Sequence, residues 1–238
     1  MNIALVGYGK MGKEIESVAL TRNHHISLTI DVNNRHELTP ESLKPCDVAI
    51  EFTSPHTAAD NIRACLAAGV PVVCGSTGWL EQLEEIRREC EAQKGAFFYA
   101  SNYSIGVNIF FRINEILAGM MCAIDGYRPS MEESHHTEKK DAPSGTAITL
   151  AEKMLSELKP LKKWVSGASA TKDELPIVSL REPGVFGTHT VRYESDVDCI
   201  TLSHAAKNRR GFALGAVLAA EFLKGKQGCY GMDDLVKF

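Results

Sequence analysis

The chain has 238 residues, 44% of them hydrophobic, so it is long enough to bury a core in one large domain or two small ones. Its formal net charge of −4 gives no basic surface for nucleic acid or anionic membranes. No apolar run approaches the roughly 18 residues of a transmembrane helix, so we expect neither a membrane span nor a nucleic-acid partner.

The seven cysteines are scattered and include no Cys-x-x-Cys pair. This pattern indicates free thiols in a reducing compartment rather than a disulfide framework or a zinc site. The apolar start, Met1–Val6, has no basic leader and no small-residue cleavage site, so we expect no signal peptide. The sequence therefore predicts a cytoplasmic protein.

The first predicted elements form a strand–loop–helix–strand unit. A strand at Asn2–Val6 leads into a Gly-x-Gly-x-x-Gly loop at 7–12 and a helix at 13–20. A second strand, Ile26–Ile30, ends at Asp31. This order is typical of dinucleotide binding, whereas a glycine loop alone also occurs at ordinary strand-to-helix turns.

Each part of this unit has a physical role. Gly7 permits the tight turn, Gly9 lets the backbone approach a pyrophosphate, and Gly12 lets the helix pack closely on the strand. Amides at the helix start face the phosphates, and Asp31 can accept hydrogen bonds from the adenosine ribose. A carboxylate there repels the extra phosphate of NADP, so the sequence favours NAD, while Arg35 keeps NADP open.

Strands and helices then alternate through the first half of the chain. The predicted strands are 47–52, 70–74 and 96–100, and the predicted helices are 57–68 and 80–94. This alternation predicts an α/β fold with a Rossmann-like, doubly wound parallel sheet and right-handed crossovers.

Polar turns follow three of these strands, at 52–53, 75–77 and 100–103. Ligands of parallel sheets bind outside the carboxyl ends of the strands, so these turns are candidate contacts for the nicotinamide ribose and ring. The alternative is that they are ordinary polar turns, because most strand ends carry such residues.

The pattern changes in the second half, which predicts an α+β domain with a mostly antiparallel sheet. An apolar, alanine-rich helix at 209–223 is expected to return to the first domain. We therefore predict a dinucleotide-binding domain at 1–106 and 211–238, and a substrate-binding and oligomerisation domain at 107–210. The predicted elements of the second half are helices at 106–120 and 146–158 and strands at 125–134, 177–181, 188–195 and 198–204.

A polar stretch at 133–147 is the candidate for chemistry in the second domain. Two adjacent histidines precede Lys139, and a small-residue turn with Pro143 opens a helix. Free amides at that helix start, with the Ser144 and Thr146 hydroxyls, could hold a carboxylate. Lys139 and a histidine could hold another or donate a proton. The alternative is a polar surface loop with incidental histidines.

The residues alone leave the directions of His135 and His136 open. A strand that includes both would point them to opposite faces, whereas a strand that ends at Ser134 would let both reach a substrate. A metal site built from the two histidines, Asp141 and His189 lacks recognisable ligand spacing, so we predict no metal.

The stretch Glu-Ser-His-His-Thr-Glu-Lys-Lys-Asp-Ala-Pro-Ser-Gly-Thr resembles the signature of the 4-hydroxy-tetrahydrodipicolinate reductase (dihydrodipicolinate reductase) family, Glu-x-His-His-x-x-Lys-x-Asp-Ala-Pro-Ser-Gly-Thr. The resemblance covers the whole chain. It includes the glycine loop, the segments 75–78 and 100–108, the segment from Arg181 to His189, and the Arg-Arg-Gly-Phe-Ala-Leu-Gly-Ala run near the end.

The resemblance implies reduction of a cyclic dicarboxylate with NAD(P)H, with loss of water, in diaminopimelate and lysine biosynthesis. His135 would be the proton donor with Lys139 as its catalytic partner, and His136, Gly145 and Thr146 would bind the substrate. Such enzymes are usually homotetramers that pair through the sheets of their second domains. The residues expected to line the cofactor are Gly7, Tyr8, Gly9, Lys10, Met11, Gly12, Asp31, Gly75, Ser76, Thr77, Ala100, Ser101, Asn102 and Tyr103.

Two departures from the family concern only the cofactor. Many members have an extra residue in the glycine loop with Arg in place of Lys10, and Arg directly after the acid, where this chain has Val32. Two other functions remain as alternatives, a related dehydrogenase of aspartate or homoserine and a non-catalytic NAD-binding sensor. The intact His-His-x-x-Lys and Pro-Ser-Gly-Thr motifs argue against both.

Overall fold

The computed structural model describes residues 1–168 and 171–237. Ser169, Ala170 and Phe238 fall inside the predicted domain ranges but lie outside the described residues. The chain divides into two compact units, one of Met1–Ile105 with Arg209–Phe238 and one of Gly106–Asn208. None of the described helices is long and apolar enough to cross a bilayer.

Strands and helices alternate along the described chain except for four consecutive strands in its second half. In chain order they are β1 Asn2–Val6, α1 Lys10–Thr21, β2 His25–Ile30, α2 Pro40–Leu43, β3 Val48–Glu51, α3 Ala58–Ala67, β4 Val72–Cys74, α4 Leu83–Ala92, β5 Ala96–Tyr99, α5 Ile105–Met121, β6 Arg128–His135, α6 Gly145–Glu157, β7 Lys163–Ser166, β8 Glu174–Arg181, β9 Thr188–Glu194, β10 Cys199–Ala205, α7 Arg210–Leu223, β11 Gly228–Tyr230 and α8 Met232–Leu235.

The first unit is built on a six-stranded sheet in the order β11-β5-β4-β3-β1-β2. Every neighbouring pair is parallel, which confirms the predicted Rossmann-like sheet. Helices cover both faces: Ile3 and Leu5 of β1 pack with α1 and α7, whereas Ala4 between them packs with α3 and α4. Burial on both faces explains why these strands are continuous apolar runs.

The second unit holds a five-stranded sheet in the order β10-β9-β6-β8-β7. Two neighbouring pairs are antiparallel and two are parallel, so the sheet is mixed where the sequence predicted a mostly antiparallel one. The connection from β6 to β8 contains α6 and β7, and this length lets β8 return beside β6 in the same direction. The unpredicted strand β7 adds the second parallel pair.

Candidate active site

The glycine loop between β1 and α1 leaves the start of the helix uncovered. A Cβ atom on Gly7 would lie 2.1 Å from the Phe52 carbonyl oxygen, and one on Gly12 would lie 2.2 Å from the Gly7 oxygen. Both positions therefore require glycine. A Cβ atom on Gly9 would meet nothing within 4 Å. The loop is thus closed on the protein side and open at Gly9, where a pyrophosphate could approach the helix amides.

Asp31 follows β2 directly, at the carboxyl end of the sheet. One of its carboxylate oxygens accepts a hydrogen bond from the Asn33 amide at 2.7 Å, which fixes the side chain. Val32 is 93% exposed, so the position where a 2′-phosphate-binding arginine is expected has an apolar side chain. Arg35 contacts Asp60 at 3.5 Å and Asn61 at 3.4 Å on α3.

The polar turns after β3 and β4 are hydrogen-bonded to each other. The Thr53 amide donates to the Ser76 hydroxyl at 2.7 Å, and Ser76 is buried. A Cβ atom on Gly75 would lie 2.1 Å from the Phe52 ring, so this glycine lets the ring cover the turn. Thr77 is exposed beyond them. Of the predicted cofactor residues in this turn, only Thr77 presents an exposed side chain.

A buried carboxylate that sequence reasoning did not select lies beneath these turns. Glu51, at the end of β3, is 0% exposed. It accepts hydrogen bonds from the Thr53 amide at 3.1 Å and from the Cys74 thiol at 3.0 Å. The only signal in the sequence is a single acid inside an apolar strand. Glu51 connects the ends of β3 and β4 and thereby fixes both turns.

The turn after β5 places its predicted cofactor residues in different surroundings. Ser101 is exposed, whereas Ala100 is buried. Tyr103 is 2% exposed and donates to the Cys74 carbonyl at 2.6 Å, and burial raises the pKa of its phenol well above the usual range. Asn102 accepts a hydrogen bond from the Ser104 amide at 2.9 Å. The Tyr103 side chain therefore stabilises the core of the first unit.

In the second unit, Glu133 and His135 form a buried pair at the end of β6. Glu133 is 1% exposed, and its Oε2 lies 2.7 Å from Nδ1 of His135. Its Oε1 accepts from two guanidinium nitrogens of Arg181 and from the Ser144 amide, each at 3.2 Å. Burial alone would raise the pKa of Glu133, but the contacts with His135, Ser144 and Ser179 outweigh it and hold that pKa well below its usual range.

His189 on β9 completes this cluster. Its ring lies against that of His135, with centroids 5.1 Å apart, and its Nε2 lies 3.2 Å from the Ser144 hydroxyl. Burial, with the neighbouring His135, lowers the pKa of His189 to about 4, and the opposing effect of Glu133 is smaller. His189 is therefore neutral at pH 7.

Arg181 also fixes the loop that carries Lys139. Its guanidinium donates to the Lys139 carbonyl at 3.2 Å and to the Asp141 carbonyl at 2.6 Å. The Lys139 ammonium pairs with both carboxylate oxygens of Asp141, at 2.8 and 2.9 Å. This hydrogen bond lowers the pKa of Asp141. The loop thus holds a partly buried cation one turn beyond His135.

The start of α6 differs from the expectation in one respect. Ser144 caps the helix by accepting from the Ala147 amide at 3.2 Å and is buried, so its hydroxyl serves the protein rather than a ligand. Gly145 is exposed, with nothing within 4 Å of a Cβ atom there, and Thr146 is half-buried. His136 follows the last residue of β6 and is half-buried, so strand alternation does not fix its direction.

One group of three potential metal ligands occurs among the residues that the structure describes, namely Glu133, His135 and His189, with ligand atoms within 4.8 Å of one another. The metal site considered from the sequence also contained His135 and His189, but it had His136 and Asp141 in place of Glu133. Arg181 already neutralises the carboxylate, and a divalent cation there would lie beside the guanidinium. The guanidinium therefore disfavours a metal ion in this group.

Sequence reasoning selected His135 but missed the roles of Glu133, Arg181 and His189 around it. The signal for Glu133 was its spacing, because residues i and i+2 of a strand share a face. The other two come from strands far away in the sequence: Arg181 is paired with His135, and His189 with Glu133, in the sheet register.

Comparisons with known proteins cover the whole chain. A family model described as "Dihydrodipicolinate reductase, N-terminus" matches residues 1–103, and one described as "Dihydrodipicolinate reductase, C-terminus" matches residues 106–236. The chain is 48% identical over 237 residues to 4-hydroxy-tetrahydrodipicolinate reductase of Christiangramia forsetii, covering 99% of this chain and 98% of that protein.

Two further relatives agree. The chain is 35% identical over 239 residues to the protein of the same name from Bdellovibrio bacteriovorus, covering 99% of this chain and 96% of that one. A dipicolinate-bound dihydrodipicolinate reductase from Paenisporosarcina sp. TG-14 superposes with a TM-score of 0.82 at 24% identity, covering 99% of both chains. At that identity the superposition shows a shared fold.

Proposed function

The chain belongs to the dihydrodipicolinate reductase family, and we propose that it reduces 4-hydroxy-tetrahydrodipicolinate with a nicotinamide cofactor, with His135 as proton donor. It is therefore an oxidoreductase of diaminopimelate and lysine biosynthesis. The observation on which the residue assignment rests is the buried Glu133–His135 pair, at 2.7 Å, next to the start of α6. A proton donor, a cation and open amides there suit a dianionic substrate.

The first unit holds the cofactor in this proposal. The opening at Gly9 fits a pyrophosphate, because the glycine loop is closed only toward the protein. The bound nicotinamide supplies a hydride. Asp31 binds the adenosine ribose, and the absence of a basic side chain at Val32 favours NAD over NADP. The other proposed contacts are Gly7, Tyr8, Lys10, Met11, Gly12, Gly75, Ser76, Thr77, Ala100, Ser101, Asn102 and Tyr103, those with buried side chains contributing through the backbone.

The second unit holds the dicarboxylate. Gly145 and Thr146 offer the start of α6 to one carboxylate, and this position is exposed and uncrowded at Gly145. His136 and Lys139 supply positive charge or hydrogen-bond donors for the rest of the substrate. The dipicolinate bound by the Paenisporosarcina relative is a dicarboxylate of this kind.

His135 delivers the proton that completes the reduction. Loss of water from the hydroxylated substrate first leaves an unsaturated ring carbon conjugated to the imine. A hydride added to that carbon leaves an enamine, and the neighbouring carbon must then gain a proton. The Nε2–H bond of the His135 imidazolium breaks as the new C–H bond forms, and the ring is left neutral. Solvent restores the proton before the next turnover. Lys139 raises the local positive charge and steadies the substrate anion during this step.

We propose a homotetramer that forms through the sheet of the second unit. Ile200 on the edge strand β10 and Leu180 on β8 are both 38% exposed, which supports a surface that is covered on association. A cytoplasmic location agrees with the seven free thiols. Light scattering on the purified protein tests the assembly, and a monomer would contradict it.

The function is tested by following NADH absorbance with substrate made fresh by its synthase. Oxidation of NADH that requires both this protein and the fresh substrate is expected. An absence of turnover with fresh substrate and either NADH or NADPH would overturn the proposal.

A further inference from the structure

Glu133 is the most completely buried charged group around the proton donor. It is 1% exposed and lies two residues before His135 on the same face of β6. Its two oxygens are used differently: Oε2 lies 2.7 Å from Nδ1 of His135, and Oε1 is held at 3.2 Å by Arg181 and the Ser144 amide. One side of the carboxylate is therefore anchored, and the other lies within ion-pair distance of Nδ1 without the alignment of a hydrogen bond. A separation of 2.7 Å between a carboxylate oxygen and a ring nitrogen requires a proton on that nitrogen.

The opposite side of the ring faces a position without a side chain. A Cβ atom on Gly187 would lie 3.0 Å from Nε2 of His135, so glycine leaves the space beside this nitrogen open. The two ring nitrogens thus have different surroundings. Nδ1 meets a buried anion, and Nε2 meets backbone and free space.

We infer that Glu133 is a positioning residue for His135: its anchored carboxylate holds the proton on Nδ1, so that Nε2 is the nitrogen that gives up and regains the proton. A carboxylate behind a histidine fixes both the tautomer and the orientation of the ring. It also stabilises the imidazolium that must form before each proton is delivered. This inference rests on the proposed function in one respect: that function supplies the substrate carbon that receives the proton.

Other charged or titratable groups near the ring do not offer the same contact. Arg181 and Lys139 carry the wrong charge to accept a proton from Nδ1, and the buried His189 is neutral at pH 7 because its pKa lies near 4. The Glu182 carboxylate is engaged by another residue, since it accepts a hydrogen bond from the Ser134 hydroxyl. The described titratable or charged groups around the cluster include Glu133 on β6, Arg181 on β8, His189 on β9, His204 on β10, Lys139 in the loop after β6, and Glu182 after β8.

The first test compares Glu133→Gln with Glu132→Gln. Both remove one carboxylate from the same strand, but Glu132 points to the other face, where it pairs with Arg192 at 3.8 Å. Glu133→Gln should lower kcat about 10- to 100-fold, as loss of an orienting carboxylate does, with dipicolinate binding unchanged. The fall in kcat toward high pH should also begin at lower pH, because the imidazolium has lost its counter-ion. Glu132→Gln should do neither.

Glu133→Asp keeps the charge and should recover part of the lost kcat. A purely structural role of Glu133 would lower the folded fraction of Glu133→Gln without moving the pH profile of its kcat. If that profile does not move and kcat equals that of Glu132→Gln, the inference is overturned. If the wild-type protein shows no turnover, that result contradicts the proposed function and leaves the inference about Glu133 to the measurement below.

A second measurement does not depend on turnover or on a variant of Glu133 that folds. Nitrogen NMR of histidine-labelled protein, with the His135 signals identified by their loss in His135→Gln, reports which ring nitrogen is protonated in the neutral form. A proton on Nδ1 is the expected result. A neutral ring with its proton on Nε2 would overturn the inference.

Discussion

Gly187 borders Nε2 of His135, the nitrogen proposed to donate the proton, since a Cβ atom at residue 187 would lie only 3.0 Å from it. Gly187→Ala should therefore lower kcat at least about tenfold, because displacing a reacting group by about 1 Å costs up to about 10²-fold. Gly184→Ala is the matched control, because Gly184 also has a positive φ, of 77°, but has nothing within 4 Å of its Cβ position. Equal kcat values for the two variants would show that backbone strain, and not crowding of His135, explains any loss.

Lys139 should contribute through its charge. Lys139→Met keeps the aliphatic stem and removes an ammonium that now pairs with Asp141 at 2.8 Å. A hydrogen bond to a charged group is worth about 1.5–3 kcal/mol, so kcat/KM should fall roughly 10- to 100-fold. Lys140→Met, at the exposed neighbouring position, should change kcat/KM little. Similar kinetics in both variants would remove Lys139 from the proposed site.

Cofactor preference should follow the residue after Asp31. We expect the wild-type enzyme to use NADH at least as well as NADPH, because Val32 offers no charge to a 2′-phosphate. Val32→Arg should lower the KM for NADPH roughly tenfold, as one charge-assisted contact does, while the KM for NADH stays the same. Val32→Gln is the uncharged control. A strong NADPH preference in the wild type would contradict the assignment.

His189 should make stability depend on pH. Its pKa is about 4 in the folded protein against an ordinary value of 6.5, so on acidification the unfolded chain binds a proton first. The contribution of His189 to the free energy of unfolding is therefore complete above about pH 6.5 and is lost as pH falls toward 4. The loss is about 2 kcal/mol at pH 5. Urea unfolding at pH 7 and pH 5 should show this extra loss in the wild type and not in His189→Gln. Equal losses would refute the assignment to His189.

The fold was largely predictable from the sequence because its signals are local. β1 and β3 are apolar runs, and the glycine loop marks the first turn, so a parallel sheet followed from alternation with helices. β7 and β11 are as short as β3 and β4, but their sequences, Lys-Trp-Val-Ser and Gly-Cys-Tyr, are not apolar runs. Because β7 was not predicted, and because the sequence does not show which strands pair, the sequence did not predict that the second sheet is mixed.

The residues of the candidate site that stand in one contiguous motif were predictable. Those brought together by strand pairing were not. His135 and Lys139 stand in one stretch and were selected. Arg181 contacts Glu133 because β8 lies beside β6, and the register of two strands cannot be deduced from either sequence segment alone. Ser144 was assigned to a ligand although its role as a helix cap is local, whereas its contact with His189 depends on the pairing of β9 with β6.

The most direct test of the account is the steady-state kinetics of His135→Gln beside the wild type, with dipicolinate binding measured on both. Loss of a general acid should lower kcat about 10²- to 10⁴-fold, because the enamine carbon then takes its proton from water. Dipicolinate should bind with nearly unchanged affinity, since His135 acts on the proton and not on the carboxylates. A kcat near the wild-type value would contradict the account.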